Sequence, residues 1–485
     1  MMTPMKSLAL GGCVLAGAAV LTAGVPLPEL SARPLQPQQQ QQPPPPPPQQ
    51  PTEVAVSLTN PGTRPALGLP DFIVQGGDAK FRDVAQLLAD TLWRDLDFER
   101  EFHLIDRKAT AVIPPASTPQ AIDFQRWQDF GAHFVVLGVV KPTPAGFDVD
   151  VQVLGVRGAA RGRQDHAATY GPCTVANARY CAHYIADDMH AKLRQLDGVA
   201  RTKIAFTSDR NASPMLNRRL ANSGDAKEIY IADYDGANET RITANNSLNI
   251  APSWGPDPRT LAYVSYVTGF PDIYVTQFDG RAPARPASGN DRHQHHLPAI
   301  SPDGQRIAFS SGRAGSTDVW VVNRNGSGLR NLTPNTPNSI DTSPTWSPSG
   351  DQIAFISDRT GRKSVYLMRA DGLDQQRVYG DRESDRPTWS RLNFIAFTVV
   401  GGGAKDIALL DVRDRSVRIL TDGRAANESP SVAPNGRHVV FVTTRWGRQQ
   451  LATVGIDGGV IRRLTGAGNN HYPNWSPSPP LQRSK

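Results

Sequence analysis

Two folded units of different class are predicted: an α/β N-terminal domain, then an all-β six-bladed β-propeller. Three observations carry this. From residue 203 onward one pattern recurs six times, at starts separated by 46, 46, 43, 43 and 43 residues, and a period in the forties built from short strands marks one propeller blade. The 42 Gly and 41 Pro among 485 residues exceed what a helical chain carries and suit many turns. The first and last copies of the pattern are out of phase, as ring closure requires.

Taken in chain order, Lys6 and the apolar run Ser7 to Val25 read as a secretory signal, expected over residues 1–32 with cleavage near Ala23 or Ala32. An uncleaved anchor is the competing reading. Leu10-Gly11-Gly12-Cys13 looks like a lipoprotein box, but too few apolar residues precede it. Residues 33–52 are a linker, almost wholly Pro and Gln from Pro34 to Pro51. Such a tract builds no core and favours extended polyproline II. Its eighteen residues would reach about 55 Å.

The α/β domain is expected over residues 53–198. Phe81, Val84, Leu88, Leu92 and Leu96 form one helical stripe, with Asp78 as N-cap. Thr118-Pro119 fits a cap and first-turn proline opening a short helix through Trp127. His133 to Val140 is a buried strand, and Phe147, Val149, Val151 and Val153 alternate as its hairpin partner. A long helix follows from about Thr174 to Leu196. Cys173 and Cys181 either pair in an oxidising compartment, closing a short loop, or remain two buried thiols. His166 and His183 add no recognised zinc spacing.

The propeller is expected over residues 199–478, with a tail at 479–485. Its clearest mark is a Pro-x-apolar strand, beginning at Pro252, Pro298, Pro344, Pro387, Pro430 and Pro473. A buried strand follows in each blade, as in Ile307-Ala308-Phe309 and Ile353-Ala354-Phe355. Next come an apolar-aromatic strand such as Val365-Tyr366, an Asp-Gly or Asn-Gly turn, and an outer Leu-Thr or Ile-Thr strand. The Trp and Phe positions are core between blades. The first copy starts at Ile204 without its Pro-x-Trp strand, and the last stops at Trp475 without the others, so the two ends together complete a sixth blade.

The net charge of +7 is scattered through the repeats and forms no basic stripe, which argues against nucleic acid. Neither a phosphate loop nor a dinucleotide fingerprint occurs, and no cofactor is implied. A propeller-gated hydrolase would need a Gly-x-Ser-x-Gly elbow, which is absent. No enzyme is expected.

The repeats, the offset closure and the preceding domain together resemble the TolB family of periplasmic proteins. Glu53 to Thr59 looks like the start of the mature family protein, and Arg64 to Pro70 and Phe102 to Arg107 are similar to family segments. The resemblance implies a monomeric periplasmic adaptor that binds Pal, a peptidoglycan-associated outer-membrane lipoprotein. It also implies a link to the inner-membrane TolA, in outer-membrane constriction at cell division and envelope integrity. The family's Pal site is the propeller mouth, made by loops running into the Pro-x-Trp strands. Carried over, it comprises Gln294, His295, His296, Leu297, Asp341, Thr342, Asp385, Glu428 and His471. The TolA contact would be the strand bearing Glu53, Val54, Val56 and Leu58, which here follows a Pro/Gln spacer instead of a free N-terminus. His293, His295 and His296 have no carboxylate fixed beside them by spacing, so metal is not expected. The alternative function is an extracytoplasmic propeller that binds another envelope protein or a glycan.

Overall fold

The computed structural model describes residues 63–211, 226–278, 285–286, 293–334, 336 and 338–481. The expected signal, the linker and the Glu53–Leu58 strand lie outside the described residues.

The N-terminal domain runs β1 (Ala66–Gly68), β2 (Ile73–Val74), α1 (Arg82–Glu99), β3 (His103–Leu104), α2 (Arg107–Thr110), α3 (Phe124–Asp129), β4 (Phe134–Thr143), β5 (Gly146–Gly155), β6 (Gln164–Cys173) and α4 (Ala178–Met189). The sheet order is β3-β1-β4-β5-β6, with β2 also on β4. The segments 64–70 and 102–107 singled out above contain β1 and β3, which pair in parallel. Val136 and Val140 of β4 and Val149 and Val151 of β5 meet Leu88 and Leu92 of α1 and Ile185 of α4. Val135 and Leu137 face the other way, onto Ile105, Ile122 and Trp127. Being covered on both faces is what makes β4 read as a continuous apolar run.

Helix boundaries follow local chemistry. Asp78 accepts a hydrogen bond from the Lys80 amide at 3.0 Å and opens a 3-10 turn that leads into α1. Thr174 and Asn177 form a capping box ahead of α4. The single helix expected from Thr118 to Trp127 is instead two pieces. A 3-10 turn at Pro119–Ala121 ends where Ile122 is extended, and α3 restarts on Asp123, which accepts from the Arg126 amide. Cys173 and Cys181 are joined by a disulfide that ties the end of β6 to α4.

The propeller has six four-stranded sheets. In the closing one, the C-terminal strand Asn470–Trp475 is innermost and pairs with Lys203–Ser208, followed by Glu228–Asp233 and Thr240–Arg241. Trp475 aligns with Ile204, the pairing the phase offset predicts. The Phe of each second strand, Phe206, Phe309, Phe355, Phe397 and Phe441, is fully buried, with Tyr263 in the remaining blade. Each outer Thr has a further role. Thr243, Thr333, Thr421 and Thr465 accept from the amides of Ile229, Val319, Ile407 and Leu451 at 2.9–3.0 Å, pinning the fourth strand to the third. Gly236 and Gly372 of the Asp-Gly turns have φ near +88°, and a Cβ there would strike a backbone carbonyl of a neighbouring blade. The turn expected at Asp279-Gly280 lies outside the described residues.

The N-terminal domain sits on the end of the propeller where the innermost strands finish. Phe98 of α1 packs against Tyr234, His438 and Trp475, and the domain core is continuous with that of the closing blade. Glu99 is buried and accepts from the Val199 amide at 2.9 Å and from Arg437 at 2.7 Å, with His438 Nε2 at 3.2 Å. Burial alone would raise its carboxyl. The His438 hydrogen bond and the charges of His438, Arg437 and His190 outweigh this and hold it at about 2. Arg462 adds an ion pair to Asp97 at 2.8 Å.

Removing the Glu99 charge deprives buried His438 of its carboxylate and leaves Arg437 with Glu101 and the Asp197 carbonyl alone. Glu99→Gln is expected to lower the unfolding free energy by about 3 kcal/mol at pH 7, read by denaturant titration. A carboxyl with a depressed folded-state value adds stability above its ordinary value of 4.5. The native protein should therefore lose stability as pH falls from about 4.5 toward 2, and the variant should lose less over that window. Equal slopes would disprove the assignment.

Candidate functional site

Each innermost strand starts at the end of the propeller away from the N-terminal domain. A six-residue strand rises about 20 Å between the two ends. These strands are Asn249–Trp254, His295–Ile300, Asp341–Trp346, Glu383–Trp389, Asn427–Val432 and Asn470–Trp475. All carry a β-bulge at the same place, between His296 and Ala299 for instance, or Thr342 and Thr345. The repeat proline falls inside the bulge, where its missing N–H costs no ladder bond. The residue before it has a left-handed backbone in every blade: Ala251, Leu297, Ser343, Arg386, Ser429 and Tyr472, with φ from +51° to +55°.

The bulge divides each strand start into three positions. The first is a buried peg: Asn249, His295, Asp341, Ser384, Asn427 or Asn470. Asn249 donates to Glu228 at 2.9 Å and accepts from Ser265 at 2.7 Å. His295 Nδ1 lies 3.0 Å from Ser311 Oγ and its ring abuts Phe309. Asp341 receives Arg359 at 3.1 Å and the Thr336 hydroxyl at 2.6 Å. The second position, one residue on, points oppositely and is half-buried at the mouth in His296, Thr342, Asp385, Glu428 and His471. The third, the left-handed residue, lines a central cavity of about 480 Å³ that runs toward the N-terminal domain.

The site residues expected from sequence therefore separate. His295 and Asp341 are corrected from mouth residues to interior pegs, since they are 1% and 0% exposed and their polar groups are engaged inside the blade. Gln294 is exposed just before its strand, and Leu297 belongs to the cavity ring. His296, Thr342, Asp385, Glu428 and His471 come together around the mouth. Except for Gln294, these residues lie within strands and not in loops. Sequence reasoning missed Ser343, Arg386 and Tyr472. Their position one residue before each repeat proline was the available signal, but the left-handed turn that aims them inward was not.

The mouth is polar and internally paired. Lys405 donates to Glu428 at 2.6 Å, Ser343 to Asp385 at 3.3 Å, and Thr342 Oγ1 lies 3.0 Å from Ser310 Oγ. Arg386 lies 4.2 Å from the centre of the Tyr472 ring. Burial, followed by the Lys227 charge, pushes His471 down to about 4 against the pull of Glu428 and Asp209. Burial and the neighbouring His295 and Arg386 also lower His296. Both imidazoles are thus neutral at pH 7, and they can either donate or accept a hydrogen bond. Among the described residues no group of three His, Cys, Asp or Glu is arranged to hold a metal ion.

Peg and mouth positions should respond differently to substitution. His295→Ala is expected to cost about 1–3 kcal/mol of stability. Thr342→Arg should cost no more than about 1 kcal/mol, the value of its one hydroxyl contact. Denaturant unfolding of both variants checks this, and a stability loss at Thr342 as large as at His295 would remove the distinction.

Comparison with known proteins places this geometry. The family model described as the TolB beta propeller domain matches residues 191–479, and that of the TolB amino-terminal domain matches 55–161. The Tol-Pal system protein TolB of Thioalkalivibrio sulfidiphilus is 44% identical over 361 residues, 74% of this chain and 79% of that protein. The protein of the same description from Desulfosudis oleivorans is 33% identical over 194 residues, and the match spans only 40% of each chain. Among solved structures, TolB from Acinetobacter baumannii superposes with a TM-score of 0.69 at 23% identity, covering 87% of this chain and 98% of that one. That likeness concerns the fold.

Proposed function

The chain belongs to the TolB family, and on that premise we propose that it is a non-catalytic periplasmic adaptor of a Tol-Pal system. In this reading the mouth of its propeller receives a peptidoglycan-associated lipoprotein of the Pal type. The observation that carries the reading is the asymmetry of the two propeller ends. One is covered by the N-terminal domain through Phe98, Glu99 and Asp97. The other presents Gln294, His296, Thr342, Asp385, Glu428 and His471 around a recess.

A convex partner surface would plug that recess. Its polar groups would meet two neutral imidazoles, two carboxylates and a hydroxyl held on rigid strands. Holding the side chains in place beforehand lowers the ordering cost of association. His295 and Asp341 act here as positioning residues. Each fixes the start of the strand whose next residue faces the partner.

The link to a TolA-like inner-membrane protein is proposed through Glu53, Val54, Val56 and Leu58, outside the described residues. Among the described residues no helix is long and apolar enough to cross a membrane. Action as a monomer, without nucleic acid or cofactor, completes the proposal.

Immobilised mature protein should retain a peptidoglycan-associated lipoprotein from envelope extract. Thr342→Arg should weaken binding of the purified lipoprotein at least about tenfold, with stability changed only as stated above. Retention of glycan or of a different envelope protein, and of no such lipoprotein, would favour the alternative reading and defeat this one.

A further inference from the structure

The ring of left-handed residues around the axial cavity is uncharged in five blades and cationic in one, at Arg386. Among the described residues no Asp or Glu lines the cavity. The other charged residue that lines it, Arg391, is paired to Asp197.

Arg386 reaches across the ring. Its strand, Glu383–Trp389, is separated from the strand that carries Tyr472 by a whole blade, whose innermost strand is Asn427–Val432. The guanidinium nevertheless lies 4.2 Å from the centre of the Tyr472 ring, and stacking on that face holds it in place. The side chain is 23% exposed. Among the described residues its guanidinium donates no hydrogen bond. The nearest carboxylate, Asp385, stays 3.9 Å from Nε. One oxygen of Asp385 accepts instead from the Arg386 amide at 2.8 Å and from the Ser343 hydroxyl at 3.3 Å. The second carboxylate of the mouth, Glu428, is taken by Lys405.

Water serves such a guanidinium while the recess is open. A convex surface filling the mouth removes that water, and a buried charge left unpaired is costly. The cost is met only if the surface brings an acceptor to the guanidinium fork, and a carboxylate matches two of its parallel N–H groups. Local charge favours a monoanion over a phosphate. Burial lowers both His296 and His471, and the charge of Arg386 adds to this, so neither imidazole contributes a second positive charge at pH 7. Asp385 beside the fork would repel a dianion further.

Resting on the reading that the mouth receives a protein partner, we propose that Arg386, held across the recess by Tyr472, is the receptor for one carboxylate side chain at the apex of that partner's convex surface. The consequence is orientational. Six similar blades offer a plug six nearly equivalent rotations, and one off-axis ion pair selects a single one.

Two measurements test this on the mature protein. The first follows the Arg386 Nε–H resonance by NMR, assigned by its loss in Arg386→Lys, during titration with N-acetylglutamic acid α-amide, whose one charge is its side-chain carboxylate. A saturable shift with a dissociation constant on the order of millimolar is expected, absent with N-acetylglutamine α-amide and weaker with inorganic phosphate. The second measures affinity for the purified lipoprotein. Arg386→Gln should weaken it roughly tenfold or more, Arg386→Lys less, with the melting temperature of both nearly unchanged. Among single acidic-to-Arg changes on the lipoprotein surface, one should restore binding to Arg386→Glu, a rescue that a merely structural role would not give. No saturable shift with the carboxylate, an equal shift with the neutral amide, tighter binding of phosphate, or wild-type affinity in Arg386→Gln would each overturn the proposal. Should the wild type bind no lipoprotein while the carboxylate still saturates Arg386, the assignment of the partner falls and the carboxylate receptor stands.

Discussion

The pairing of the strand at Asn470–Trp475 with the strand at Lys203–Ser208 is the constraint on which the rest depends. Six sheets arranged in an open arc would leave two unpaired edges and two apolar blade faces in water. Closing the ring by hydrogen bonds between chain extremities removes both at once. The join is reinforced on each side of the closing strand. The Trp475 indole donates to Thr202 at 2.7 Å, its amide donates to Ser431 at 2.9 Å, and Asn474 accepts from the Trp254 amide at 2.7 Å. Trp254, Trp346 and Trp475 therefore seal blades by packing and by a satisfied indole N–H together.

Closure also fixes where the N-terminal domain can sit. The chain enters the closing blade directly after α4, so the domain is delivered to the end of the propeller where the innermost strands finish. Its core merges there with the closing and last blades through Phe98, Tyr234 and Trp475. The two central carboxylates of this seam, Asp95 and Glu99, are buried. Asp95 accepts from the Tyr234 hydroxyl at 2.6 Å and lies 2.8 Å from His183 Nδ1, while Glu99 is held by Arg437 and His438. Such pairs add less net energy than their Coulomb terms suggest, because each ion gave up its water. They do select one docking geometry, since any other would leave them unpaired. The opposite end of the propeller is left uncovered by that domain, which is why the proposed partner is assigned to it.

The bulge repeated in every innermost strand links fold to site. Six non-glycine residues in the left-handed region each cost some backbone energy, and they recur because one bent strand geometry recurs. The bend turns one side chain per blade into the axial cavity and sets its predecessor at the mouth. A ring of matched positions then carries unmatched chemistry: two imidazoles, a hydroxyl, two carboxylates and the alkyl side chain of Ile250. Repetition supplies the frame, and variation at one position per blade gives the mouth its particular chemistry.

Much of this was legible in the residues themselves. The six Pro-x-apolar strands, their period and the offset between Ile204 and Trp475 specify a closed ring, because apolar alternation and turn chemistry are local properties. The Leu-Thr strands and the alternation in β5 were legible for the same reason. Strand β6 was not, since most of its side chains are exposed at a sheet edge and carry no apolar pattern. Nor was the break at Ile122, where packing onto Trp127 outweighs the helix signal of Thr118-Pro119. At the mouth the sequence identified the right strand starts but could not separate His295 from His296 or Asp341 from Thr342. Neighbouring residues on a strand face opposite ways, and which face is interior depends on how the other strands and turns of the blade pack beside it. The amino-acid sequence by itself thus determined the blade, its number and its closure. Only the tertiary structure decided which polar side chains are pegs and which are exposed at the mouth, because burial is set by side chains brought from other strands, such as Ser311 and Phe309 beside His295 and Arg359 beside Asp341.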